Sequence, residues 1–126
     1  MPPLRSLFSN PGGQLAVGRI VIGIGSWAVP RLVERAFGID AGANPAAGYP
    51  MRLFAVRDLI LGLGALNTSG DERKRWLQAG LACDLADIAA AGVSAKDGSL
   101  PPGAALFGGA AAVSGAALGL LALRSD

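Results

Sequence analysis

Apolar positions along the chain gather into four long segments, separated by stretches rich in glycine, proline or charge. The first covers residues 15–30 and continues to about residue 33 into Arg31-Leu32-Val33-Glu34-Arg35-Ala36-Phe37, an amphipathic turn at the interface. The others cover about 50–67, 75–93 and 103–123. Each comes near the ~20 residues that an α-helix needs to cross a ~30 Å hydrocarbon layer. The last carries no charge from Gly103 to Leu123 and is the clearest span. The pattern predicts an all-α protein, a four-helix transmembrane bundle of up-down topology. It forms one domain over residues 15–123, after an N-terminal tail over 1–14.

The connections fit that reading. Asn10-Pro11-Gly12-Gly13 is a cluster of helix breakers, and 38–50 holds three glycines and two prolines. Residues 67–74 read as a polar loop. Residues 94–102 read as another, closed by Pro101-Pro102, a pair suited to a helix start. A secretory signal is the competing account of the first segment, since Arg5 precedes it and Ser26 and Ala28 have the size of cleavage-site residues. Arg19, inside the apolar run, argues against it.

Composition strengthens the membrane reading. Hydrophobic residues make up 52% and charged residues 16%, and mean hydropathy is +0.46. A soluble domain carries about a quarter charged residues, and a disordered chain is polar. The formal charge of +2 is spread without a basic stripe, so no nucleic-acid partner is expected. Cys83 is alone and histidine is absent, which removes a disulfide framework, a thiolate zinc site and Ser-His or Cys-His catalysis. No metal and no cofactor is expected. Arg5, Arg73, Lys74, Arg75 and Arg124 fall on one side of the predicted spans, against Arg31, Arg35 and Lys96 with Arg52 at the edge. This bias places both termini of a multi-pass cell-membrane protein in the cytoplasm. Trp27, Tyr49 and Trp76 fall near span ends, as an aromatic belt requires.

Charges inside the spans are the candidate chemistry. A central Asp or Arg opposes insertion by ~2.5–3.5 kcal/mol, whereas a Leu or Ile favours it by only ~0.3–0.6 kcal/mol. The third segment, with Asp84 and Asp87, therefore needs partners. Arg57, Asp58 and Asp84 fall at one depth, Asp87 about 4–5 Å further out, and Arg19 and Arg52 to either side. The candidate cluster is thus Arg19, Arg52 and Arg57 against Asp58, Asp84 and Asp87, three charges of each sign. Helical spacing gives Arg19, Gly23, Ser26 and Pro30 one face, and Gly80, Asp84, Asp87 and Ala91 another. Gly108, Ala111, Gly115, Gly119 and Ala122 form a small-residue stripe in which Gly108, Gly115 and Gly119 are the helix-packing candidates.

Several readings follow. The ion pairs can hold helices in register without chemistry. They can instead line a pocket for a lipid-soluble small molecule, where two carboxylates at i and i+3 would do acid–base work. Asp84 is the first candidate partner of Arg57, with Asp87 or Asp58 as the alternative. In a pocket, Asp87 is the candidate to carry a proton, because Asp58 and Asp84 lie nearer the depth of Arg57. The alternative is a non-catalytic accessory subunit that docks onto a larger membrane complex through its Gly/Ala face. No residue pattern names a reaction.

Arg57-Asp58-Leu59-Ile60-Leu61-Gly62-Leu63-Gly64, then Trp76-Leu77 and Asp84-Leu85-Ala86-Asp87, resemble a class of short four-helix integral membrane proteins of unknown function from high-GC bacteria. Gly18-Arg19 and Ala28-Val29-Pro30-Arg31 are similar too. The resemblance covers about residues 15–123 and implies topology, not activity.

Overall fold

A computed structural model describes residues 4–125, and all regular structure among them is helical. Helix α1 (Leu4–Ser9) leads into α2 (Pro11–Ala28) and α3 (Pro30–Ala36). A 3-10 turn (Pro45–Ala47) precedes α4 (Gly48–Leu66), followed by α5 (Gly70–Lys96) and α6 (Pro102–Ser125).

Two helix starts revise the predicted boundaries. Asn10 has extended backbone, its side chain accepts a hydrogen bond from Gly13 N at 2.7 Å, and Pro11 occupies the first helical position. The cluster read as a breaker is therefore an N-cap followed by a proline whose missing N–H is not needed there. Within the predicted tail, the described residues 4–14 form α1 and the first turn of α2. Helix α5 likewise begins at Gly70 and takes most of the predicted 67–74 loop, with Asp71 and Glu72 in the first turn, where the helix dipole favours acidic groups.

The predicted first span, 15–33, is broken. Val29 N–H closes α2 onto the Gly25 carbonyl at 2.8 Å, and Pro30 has no N–H to extend the ladder. Helix α3 turns away by 116°. It ends at Gly38, at φ +75, where Gly38 N–H donates to the Arg35 carbonyl and Ile39 N–H to the Glu34 carbonyl. That paired closure suits glycine. Beyond α5, the Ser99 hydroxyl and then its backbone N–H hold the Asp97 carboxyl below the usual carboxylate range.

The four longer helices run antiparallel to their neighbours, because the contacts pair rising numbers with falling ones. Gly23 faces Ala55 and Leu59, and Gly62 faces Ala16 and Ile20. A Cβ at either glycine would lie 2.8 Å from a backbone oxygen of the other helix, so α2 and α4 meet nearly backbone to backbone. On α6, Gly115 faces Asp84 and Gly109 faces Ala91 of α5. Contact is most extensive within α2–α4 and within α5–α6, and thinner across the seam between the two pairs.

The predicted faces hold for α2, where Arg19, Gly23 and Ser26 are buried, and for Gly80 and Asp84 of α5. On α6, Gly108 faces Phe37, and Gly119 faces Leu15 and Leu81. Ala111 is exposed, and Ala112 and Ala116 turn inward instead. The edge-on pair Phe37–Phe107, 5.0 Å between centroids, joins the end of α3 to α6.

Polarity is distributed in reverse. The buried apolar residues are mostly alanines, and Arg19, Ser26, Glu34, Asp58 and Asp84 are buried among them. Leu, Ile, Val and aromatic side chains such as Val21, Ile22, Ile60, Leu106, Val113 and Leu120 point outward. Among the described residues, α6 alone is long and apolar enough to cross a membrane by length and composition. Helices α2 and α3 pass only as a bent pair.

Candidate functional site

The predicted cluster forms around two forked ion pairs. Arg19, on α2, donates through Nη1 and Nη2 to both carboxylate oxygens of Asp84 on α5, at 3.3 and 2.7 Å. Arg57, on α4, makes the same two bonds to Asp87, at 3.1 and 2.7 Å. Parallel N–H···O bonds of this kind are the strongest arrangement a guanidinium and a carboxylate can make.

Glycine makes room for the first pair. A Cβ at Gly80 would lie 2.8 Å from Arg19 Nη2, and one at Gly115 would lie 2.8 Å from Asp84 Oδ2. Gly80 stands one turn before Asp84, and Gly115 comes from α6, so three helices close on one plane of paired atoms. The second pair is more open. Its side chains are 32% and 34% exposed, against 8% and 6% for Arg19 and Asp84. The Arg57 guanidinium also sits 4.8 Å from the Phe54 ring centre.

Asp58 lies between the two pairs and belongs to neither. Its Oδ1 is 3.6 Å from Arg19 Nη1 and 3.8 Å from Arg57 Nη2, and it accepts no hydrogen bond. Arg52 stands apart from the cluster. It is exposed, donates Nε–H to the Trp27 carbonyl at 3.2 Å and lies 5.9 Å from the Trp27 ring centre. It thereby satisfies a carbonyl at the end of α2, as a cation at a helix C-terminus does. The predicted balance of three arginines and three aspartates becomes two and three.

Of the candidate partners of Arg57, the structure has Asp87 and not Asp84. Depths counted from segment centres placed Arg57 level with Asp84. The contact of the Trp76 ring with Gly64 keeps nearly that register between α4 and α5. It puts Arg57 level with Cys83, beside Asp84, but Asp84 turns to Arg19 of α2, and Arg57 reaches one turn further along α5 to Asp87, which is therefore paired.

The sequence reading missed Glu34. It is 1% exposed, and its Oε1 has no hydrogen-bond partner. It was placed in an interfacial turn, and the bend at Val29-Pro30 carries it inward. Ser26 was placed correctly on its face, and its Oγ is also buried without a partner. Among the described residues, no three metal-ligating side chains converge.

Two cavities border these helices. One, of about 10 Å³, touches Arg19 and Gly80 and is at the lower limit for one water. The other, about 670 Å³, opens at the end where α2 begins and α4 finishes. Asn10, Asn67, Thr68, Ser69 and Arg73 give it a polar side, and Leu7, Ala16, Ala65, Leu66 and Ala122 an apolar one.

Compared with protein families, curated proteins and solved structures, the chain has no match. What it does must be read from its own geometry.

Proposed function

We propose that the chain is a four-span membrane protein, an up-down bundle of α2, α4, α5 and α6 clamped by two internal Arg–Asp pairs, which binds an amphiphilic, lipid-soluble small molecule in its end cavity. The reversed polarity carries this reading: large apolar side chains face outward, and ionised ones are paired inside. Lipid makes that arrangement favourable, because outward apolar groups meet no water and inward charges meet partners. Helix α2, with 18 residues, extends about 27 Å, near the hydrocarbon thickness. Helix α3, with Arg31, Leu32 and Arg35 exposed, then lies along the interface as an amphipathic segment.

The cavity moves the ligand site away from the midplane. The forked pairs leave almost no free volume beside Arg19, whereas about 670 Å³ is within the usual range for a small-molecule site. Its polar rim and alanine floor suit a molecule with a hydrophilic head and an apolar body. The accessory-subunit reading is less well supported, because Gly108, Gly115 and Gly119 already face this chain's own Phe37, Asp84, Leu15 and Leu81.

Reporter fusions at Asn44, Ser69, Ser99 and the C-terminus test the topology and should alternate across the membrane, with the C-terminus cytoplasmic. Native mass spectrometry of the purified protein tests the ligand: a small molecule should be retained by the parent and lost from Ala65→Trp, which fills the cavity. A protein that is monomeric in water without detergent would sink the membrane reading. Equal retention by parent and variant would sink the cavity as the site.

A further inference from the structure

The cluster is unequal in charge, and its charges are unequally divided between the helix pairs. Arg19 and Arg57 are matched by Asp84 and Asp87, and that set is neutral. Asp58 adds a third carboxylate, 4% exposed, with Oδ1 accepting no hydrogen bond. Both arginines within ion-pair distance of it already give two hydrogen bonds each to another carboxylate, so Asp58 is a surplus buried charge, which a bound proton removes. Both arginines and Asp58 stand on the α2–α4 pair, while Asp84 and Asp87 stand on α5. The two forks are therefore links across the seam, and Asp58 is a competitor for them on the arginines' own side.

We propose that Asp58 binds an exchangeable proton, and that its release draws Arg19 and Arg57 from α5 and loosens the seam between the α2–α4 and α5–α6 pairs. With the Asp58 carboxyl protonated, the cluster holds two guanidinium and two carboxylate charges. Loss of the proton to solvent breaks the O–H bond, leaves its electron pair on the carboxylate and gives the cluster one net negative charge. Asp58 then needs N–H donors, and the nearest are the Nη1 of Arg19 and the Nη2 of Arg57, already 3.6 and 3.8 Å away. The half-open Arg57–Asp87 pair gives the proton its way out, while the Arg19 side is sealed.

The groups around Asp58 are Arg19 from α2, Arg57 from α4 itself, and Asp84 and Asp87 from α5, with Cys83 beside Arg57. Helix α3, which also packs on α4, buries Glu34. Helix α6 brings Gly115 to the cluster. The 3-10 turn against α4 has no titratable side chain. The inference does not rest on the cavity ligand.

The test uses the full chain in lipid nanodiscs. Asp58→Asn mimics the protonated acid in shape and charge. It should keep the parent's thermal midpoint at neutral pH, while Asp84→Asn and Asp87→Asn both lower it. Infrared spectra should show a protonated-carboxyl band that disappears on raising pH and is missing in Asp58→Asn. In a Cys83→Ala background, spin labels at Ile22 on α2 and Val113 on α6, both exposed, should give a longer or broader distance at alkaline pH. Asp58→Asn should abolish that change. The proposal is overturned if Asp58→Asn loses as much stability as Asp84→Asn, or if the distance ignores pH. A band that is absent in the parent, or is removed by Glu34→Gln instead, overturns it without any need for Asp58→Asn to fold.

Discussion

The two forked pairs use the same groups, start from the same helix α5 less than one turn apart, and have nearly the same bond lengths. They differ in surroundings. Arg19–Asp84 is closed in by Gly80 and Gly115, whereas about a third of each side chain of Arg57–Asp87 remains accessible. Bond geometry therefore does not rank them, and burial does. Breaking a sealed pair strands a charge that cannot move, while breaking an open pair frees a side chain that can extend along the bundle surface toward the interface.

The largest difference should come from Asp84→Ala, which strands Arg19. A loss of about 3–5 kcal/mol is expected, measured by unfolding in detergent or by steric trapping in bilayers. Gly115→Ala should come next. Forcing a methyl against the Asp84 carboxylate costs about 1–3 kcal/mol, partly offset by the ~1 kcal/mol that alanine gains over glycine in a helix. The same change at Gly103, where a Cβ would meet open space, should stabilise or be neutral. Asp87→Ala should lose less than Asp84→Ala, because the freed Arg57 is not sealed in and its long side chain can extend toward the interface. A loss equal to that of Asp84→Ala would erase the contrast drawn from burial.

The smallest expected effect sharpens the pairing. A double-mutant cycle between Arg19 and Asp84 should show a coupling of about 0.5–3 kcal/mol, and the cycle between Arg57 and Asp84 should be additive within about 0.5 kcal/mol. The reverse result would restore the pairing expected from segment centres.

The same contrast marks what the sequence could disclose. The need to neutralise Asp84 and Asp87 was legible, because charges in an apolar helix have few alternatives to a partner. The inward face of α2 was legible too, since Arg19, Gly23 and Ser26 keep helical spacing. Which arginine meets which aspartate was not, because Asp84 and Asp87 are nearly level with Arg57 and the choice depends on how α5 is turned between α2 and α4. Arg52 was misplaced for a related reason: it is near the other charges in depth but lies on an exposed face, where the end of α2 offers it a carbonyl. Glu34 was hidden by the bend at Val29-Pro30. Proline there signals a break, but the angle, and with it the burial, comes from contacts such as Phe37 with Phe107.

The contact between Trp76 and Gly64 has an optical consequence. The chain has two tryptophans, and helix order puts them near opposite ends. Trp27 is exposed beside Arg52, so its emission reports the medium around the protein and should be quenched by brominated acyl chains when that medium is lipid. Trp76 is partly buried against the core formed by Leu15, Ala65, Leu77 and Ala122, and its emission should shift to the red when α4 and α5 part. The molecule thus carries its own pair of fluorescent probes, one facing outward and one set in the joint between two helices.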